Sequence, residues 1–183
     1  MRLDRNNTVL VVIDVQEKLM PVIDRAKDVV RNVDRLVRGC HVLRVPAILT
    51  EQYVRGLGGT VATVRKAFEE TTGYRPIEKT CFSAQGCEAF AAQLAALERK
   101  QVLVAGVEAH VCVYQTVRDL QAAGMQVTLV ADAVSSRTPE NKEIALRRLV
   151  SEGVKLSSTE MALFELAVVS GTDEFRAISK LVK

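Results

Sequence analysis

Short runs rich in Val, Ile and Leu alternate with longer stretches whose apolar residues return every three or four positions, and this alternation persists to the end of the chain. The runs are Thr8 to Ile13, Val45 to Thr50, Pro76 to Lys79, Val102 to Ala105, Gln126 to Ala131 and Val154 to Ser157. Several are apolar at consecutive rather than alternate positions, the mark of strands buried on both faces of a parallel sheet. Between them the periodicity predicts helices over Val22 to Leu43, Thr60 to Glu70, Cys87 to Leu97, Val111 to Ala123 and Pro139 to Ser151. Further helix is expected from Thr159 to Val169 and from Asp173 to Val182, and Gly39, Gly124 and Gly153 are expected to close or interrupt helical runs. The expected fold is α/β: three layers, α/β/α, around a doubly wound, mainly parallel, six-stranded Rossmann-like sheet of order 3-2-1-4-5-6. No linker, repeat or low-complexity tract divides the chain, so one domain over residues 1–183 is expected.

Composition narrows the classes of function. A chain that is 48% hydrophobic and 26% charged can bury one sizeable core. Its net charge of +3 is scattered, its aromatic content is 4% and it has no Trp, so neither a basic stripe nor stacking platforms are available and no nucleic-acid partner is expected. The first seven residues are polar, and the apolar run Val9 to Ile13 is too short for a signal sequence or a membrane span. A cytoplasmic protein with no membrane partner is expected. Cys40, Cys81, Cys87 and Cys112 contain no C-x-x-C pair and form no dense framework, so reduced thiols are the natural reading. The spacing of Cys81 and Cys87 matches no redox motif.

In an open doubly wound sheet, ligands bind beyond the carboxyl ends of the strands. Three chemically useful groups fall there: Asp14 after the first run, Lys79 at the end of the third, and Cys112 shortly after the fourth. Each has an ordinary explanation, since Asp caps turns, Lys at a strand end is solvated and an unpaired Cys is commonly core. Their coincidence at one sheet edge changes the balance. A carboxylate can take a thiol proton, an ammonium can steady the anion, and the sulfur can attack an acyl carbon. A helix N-terminus and a cationic neighbour can also lower a thiol from about 8.5 to roughly 3.5–7.5. Asp14 follows so apolar a run that pairing with Lys79 would relieve the cost of an isolated buried charge.

Three blocks, Val11-Val-Ile-Asp-Val-Gln16, Glu78-Lys-Thr-Cys-Phe-Ser83 and Ala105-Gly-Val-Glu-Ala-His-Val-Cys-Val113, resemble the signature segments of the isochorismatase-like cysteine hydrolases. The similarity extends through Leu49-Thr-Glu-Gln-Tyr-Val-Arg-Gly-Leu-Gly58, Asp132-Ala-Val-Ser-Ser-Arg137 and Ser157-Ser-Thr-Glu160, and these blocks most resemble the isochorismatase domain-containing subgroup. The resemblance implies Asp14 as general base, Lys79 as its electrostatic partner and Cys112 as nucleophile. It also implies a cis peptide between Val107 and Glu108, and an oxyanion hole from the backbone N–H groups of Glu108 and Cys112.

Nicotinamidases of that superfamily hold a metal with an Asp and two His after the second strand, where neither His41 nor His110 lies, so no metal and no cofactor are expected. Isochorismatase itself cleaves a vinyl ether without a cysteine nucleophile, so Cys112 points instead to acyl chemistry. The expected activity is hydrolysis of a small-molecule amide, carbamoyl or related C–N bond through an acyl-enzyme. The alternative is a non-catalytic or thiol-sensing oligomer that retains the fold. Gln16, Glu51, Gln52, Tyr53 and His110 are candidate pocket residues, His110 otherwise covering the helix start. The glycines of Arg55 to Thr60 suggest an ordinary loop able to close over a ligand, because the Gly-Lys-Ser/Thr ending of a phosphate loop is missing. Arg137 is either an anion ligand or part of a hydrogen-bonded turn. A homo-oligomer, dimer or tetramer, is expected.

Overall fold

The computed structural model describes residues 2–183. The strands are β1 (Thr8–Ile13), β2 (Ala47–Gln52), β3 (Ile77–Lys79), β4 (Gln101–Val107), β5 (Gln126–Ser135) and β6 (Lys155–Ser157). They form one sheet in the order β3-β2-β1-β4-β5-β6, and every neighbouring pair is parallel, as the sequence pattern anticipates. The helices are α1 (Ala26–Val42), α2 (Val54–Leu57), α3 (Ala62–Glu69), α4 (Glu88–Ala96), α5 (Tyr114–Ala122), α6 (Pro139–Ser151), α7 (Thr159–Ala167) and α8 (Asp173–Val182).

All six residues of β1 are buried because successive side chains enter different cores. Leu10 and Val12 join Val33, Leu36 and Val37 of α1, Phe68 of α3, Leu163 of α7 and Ile178 of α8. Val9, Val11 and Ile13 join Phe90 of α4, Val117 and Leu120 of α5 and Leu149 of α6. Burying one such side chain contributes about 1.5–3 kcal/mol, so the run that identifies β1 in the sequence also anchors both layers of helices.

Several boundaries differ from expectation for identifiable reasons. Helical structure does not run unbroken from Val22: Met20–Val22 is a 3-10 turn, Arg25 is left-handed at φ 51°, and α1 begins at Ala26. The intervening Asp24 is tied to the end of β5, its N–H donating to Ser136 O at 2.9 Å and its carbonyl accepting from Ser135 Oγ at 2.8 Å. Val45 is not yet strand, because its N–H closes the end of α1 on Cys40 O at 2.8 Å. Gly39 neither ends nor interrupts α1. A Cβ there would lie 2.5 Å from Leu163 Cδ2, so glycine allows α7 to approach closely. Gly124 and Gly153 do follow α5 and α6 with positive φ. β5 continues past Ala131 because Asp132 is satisfied within the strand: its Oδ1 accepts from Thr159 N at 2.8 Å and Thr159 Oγ1 at 2.9 Å.

Candidate active site

β1 ends at Ile13, and Asp14 turns away from the sheet in the left-handed region at φ 53°, a conformation Asp tolerates better than most residues. Its N–H donates to Thr50 O at 3.2 Å, while Thr50 Oγ1 donates to Asp14 Oδ1 at 2.7 Å. The other carboxylate oxygen, Oδ2, accepts from Lys79 Nζ at 2.7 Å, and both side chains are fully buried. Lys79 stands on β3, so its four-carbon stem crosses β2 to reach Asp14. Its ammonium also donates to Gln52 Oε1 at 2.7 Å, Phe82 O at 3.1 Å and Cys81 O at 3.3 Å. Breaking such a buried pair from one side typically costs about 3–5 kcal/mol, because it strands the remaining charge.

On the other flank of β1, Gly106 of β4 pairs with Ile13. Its φ is +117°, and a Cβ there would lie 2.1 Å from Ile13 O, so only glycine permits this approach. The next peptide bond, Val107–Glu108, is cis. Ala109–Val113 then forms a wide, π-type turn that leads into α5, and Glu108 O accepts the N–H groups of Val111 and Val113 at 3.1 and 3.2 Å.

Cys112 lies in this turn, 7% exposed, and its thiol lies within the electrostatic reach of both Asp14 and Lys79. Burial and the Asp14 carboxylate push the thiol up to about 12, against a weaker downward pull from Lys79. This is opposite to the direction that a helix terminus with a cationic neighbour would give. Both upward influences outweigh the ammonium's, so the protonated thiol is the favoured form.

Other expected pocket residues divide by their partners. Gln52 takes part directly by receiving Lys79, and its Nε2 donates to Thr80 O at 2.8 Å. Gln16 instead clasps backbone: its Oε1 accepts from Gln52 N at 2.7 Å, and its Nε2 donates to Gln52 O and Gly58 O at 2.9 and 2.6 Å. Glu51 Oε1 accepts from Thr60 N, Thr60 Oγ1 and the Tyr74 hydroxyl. Together with the Gln16–Thr60 bridge, these bonds fasten the segment expected to be a free loop, and part of that segment is helix α2.

Tyr53 is 57% exposed on the wall of a cleft of about 570 Å³ that Arg55, Glu78, Lys79, Cys81 and Cys87 also line. Cys81 and Cys87 are free thiols, and Cys112 is not part of this wall. His110 Nδ1 lies 2.9 Å from Ser136 Oγ. A cavity lined by Leu3, Gln101, Gln126 and Lys155 lies at the opposite, amino-terminal ends of the strands, away from these groups.

The sequence reading passed over Thr50 and left Arg137 open between an anion ligand and a hydrogen-bonded turn. Thr50 reads as an ordinary strand residue, although a hydroxyl at the carboxyl end of the strand next to β1 was the available signal. Arg137 meets Glu108: Nη2 to Oε1 is 2.7 Å, Nε to Oε2 is 3.1 Å, and Arg137 N to Oε2 is 2.9 Å. Burial opposes ionisation of Glu108, but these bonds outweigh it and hold the carboxyl below its usual range. Among the described residues no group of three or more His, Cys, Asp or Glu side chains could hold a metal.

The parallel sheet and the Asp14–Lys79–Cys112 cluster define a doubly wound α/β protein with a buried thiol at the carboxyl ends of its strands. Residues 8–161 match the Isochorismatase domain, and the chain belongs to that family of hydrolases. It is 40% identical over 182 residues to isochorismatase domain-containing protein 2 of Danio rerio, covering 99% of this chain and 89% of that protein. The structure of MAR1 ribonuclease from Caenorhabditis elegans superposes with a TM-score of 0.91 at 33% identity, covering 100% of this chain and 92% of that one. YcaC from Pseudomonas aeruginosa, solved with hexane-2,5-diol and covalent acrylamide, gives a TM-score of 0.89 at 25% identity, covering 98% and 91%.

Proposed function

We propose that this protein is a metal-independent cysteine hydrolase of a small-molecule amide, carbamoyl or related C–N bond, with Asp14, Lys79 and Cys112 as its catalytic groups. The observation that carries this reading is the fully buried Asp14–Lys79 pair, 2.7 Å apart, at the same sheet edge as the buried Cys112 thiol on which both act. Asp14 takes the thiol proton as sulfur bonds to the acyl carbon. It returns that proton to the departing amine as the C–N bond breaks, leaving a thioester. Asp14 then takes a proton from water, whose oxygen attacks the thioester carbon, and gives it back to sulfur as the acid leaves. Lys79 steadies the anionic groups throughout. In this reading Asp14 acts as the base that generates the nucleophile, a role that a metal would otherwise fill.

The backbone N–H groups of Glu108 and Cys112 are the proposed oxyanion donors. In a regular α-helical turn the Cys112 N–H would meet Glu108 O, but Val111 and Val113 occupy that carbonyl, which supports the assignment. One such donor contributes about 2.7–4 kcal/mol to the acyl-transfer transition state. Gln16, Glu51, Gln52, Tyr53 and His110 remain proposed surroundings of the substrate, with Gln52 acting through Lys79.

Two observations bear on the rival readings. A thiol sensor needs a ready thiolate, and the raised Cys112 thiol stands against that role. The similar Caenorhabditis elegans protein is named MAR1 ribonuclease, but a sulfur 7% exposed and a lysine 4% exposed suit a small substrate better than a polynucleotide backbone. The proposed setting is a cytoplasmic dimer or tetramer, in which exposed Ile144, Met161, Val168 and Val169 would supply apolar surface to cover. Sedimentation velocity showing only monomer would remove that assembly. Among the described residues, no helix is long and apolar enough to cross a membrane.

The testing experiment is a screen of small amides, carbamoyl compounds, esters and a short RNA with wild type and Cys112→Ala side by side. The reading expects release from a C–N substrate that disappears in Cys112→Ala. Release from RNA alone, or release that Cys112→Ala retains, would overturn it.

A further inference from the structure

A second, smaller cavity lies between the first half of α1, the end of β5 and the start of α6. Its volume is about 270 Å³, and its charged lining comprises Arg25, Asp28, Arg31, Arg35, Asp132 and Lys142. Four cations therefore face two carboxylates, of which Asp28 is engaged through both oxygens and Asp132 through one. Asp28 Oδ2 accepts from Arg25 Nε at 2.9 Å, and its Oδ1 accepts from Arg31 Nη2 at 2.6 Å. Asp132 Oδ1 is held by the start of α7 through Thr159 N and Thr159 Oγ1.

Arg35 and Lys142 are left over. Both are half-buried, and neither is among the ion pairs of the described residues. Arg35 sits on the same face of α1 as Asp28 and Arg31, at helical spacings of seven and four residues. Lys142 approaches from α6. Its ammonium is disfavoured by burial and by Arg25, an effect that Asp132 and Asp24 only partly offset. Two half-buried cations that line one cavity outside any ion pair among the described residues, with the nearby carboxylates only partly offsetting Lys142, form an arrangement that an anion completes.

We infer that this cavity binds a small oxyanion, the phosphate or carboxylate group of a low-molecular-weight ligand. Arg35 and Lys142 supply the principal contacts, and Arg25 and Arg31 border them. The inference does not rest on the chemistry of Cys112. Ser135 lines the cavity, and its neighbour Ser136 holds His110, so an occupant would sit beside the strand end that carries that contact.

The test is calorimetric titration of the full chain with inorganic phosphate at fixed ionic strength, with chloride as the control anion and malonate as a parallel carboxylate probe. Wild type is expected to bind phosphate or malonate saturably and chloride not at all. Arg35→Gln and Lys142→Gln should each weaken binding about tenfold or more, the loss expected for one charge-assisted contact. Thermal melts in chloride establish that the variants are folded. Cys112→Ala should bind as wild type does, so a failed hydrolase assignment and a failed anion site give separable results. No saturable binding by either probe would overturn the inference, as would binding unchanged in both folded cation variants.

Discussion

Burial and Asp14 both push the Cys112 thiol up by opposing a second negative charge, and this gives the site a direction that mutation can reverse. Asp14→Asn removes the opposing charge, so the thiol should fall from about 12 and alkylate at least several-fold faster at pH 8, while hydrolysis is lost with the base. Iodoacetamide kinetics against pH measure this. An unchanged or slower alkylation would show that Asp14 does not act on the sulfur. The gathering of Asp14, Lys79 and Cys112 was legible in the sequence because strand ends in a doubly wound sheet share one edge, and Asp14 and Cys112 follow recognisable apolar runs while Lys79 ends a short third strand. The hydrogen bond from Thr50 was not, since a hydroxyl in a strand looks like any β-branched residue until its neighbour is known. The direction of the thiol shift was also hidden. It depends on whether carboxylate or ammonium prevails at the sulfur, and spacing along the chain does not report that balance.

At the scale of elements, the site is assembled where β1 and β4 approach most closely. Gly106→Ala would place a methyl against Ile13 O in a backbone region where φ is positive, and it should destabilise the protein by roughly 2–4 kcal/mol. Urea unfolding followed by circular dichroism checks this, and a loss below 0.5 kcal/mol would mean that the strands part without penalty. The central strands were readable because each buries both faces and so leaves an unbroken apolar run. Elements defined by tertiary bonds were not readable. The start of α1 is postponed by the ties between Asp24 and β5, β5 is prolonged because Thr159 satisfies Asp132, and α2 lies in a glycine-containing stretch too short for a periodicity. Gly39 misleads for a related reason: its small size serves the neighbouring Leu163 rather than its own backbone.

Across the whole molecule, thiol burial links stability to alkaline pH. Cys40 is fully buried in the α1 core and is pushed up to about 12 by that burial, as Cys112 is by burial and Asp14. In the unfolded chain such thiols ionise near 8.5, so above that pH the unfolded state sheds protons that the native state retains. The stabilisation they give is therefore complete below about pH 8.5 and is lost as pH rises toward 12. Cys40→Ala should reduce the slope of unfolding free energy between pH 9 and 11 by up to about 1.4 kcal/mol per pH unit, whatever it costs at pH 7. Urea midpoints across that range would contradict the linkage if both slopes agree. The same two-layered core holds Asp14, Lys79 and Cys112 in register, and their joint action is the central claim. Its most direct measurement is rapid-quench intact mass analysis of wild type, Asp14→Asn and Cys112→Ala after mixing with a small amide that wild type hydrolyses. The account predicts a transient acyl adduct on Cys112 in wild type that decays to free enzyme and is absent in both variants. Turnover with no adduct at Cys112, or an adduct that forms and clears equally fast in Asp14→Asn, would contradict it.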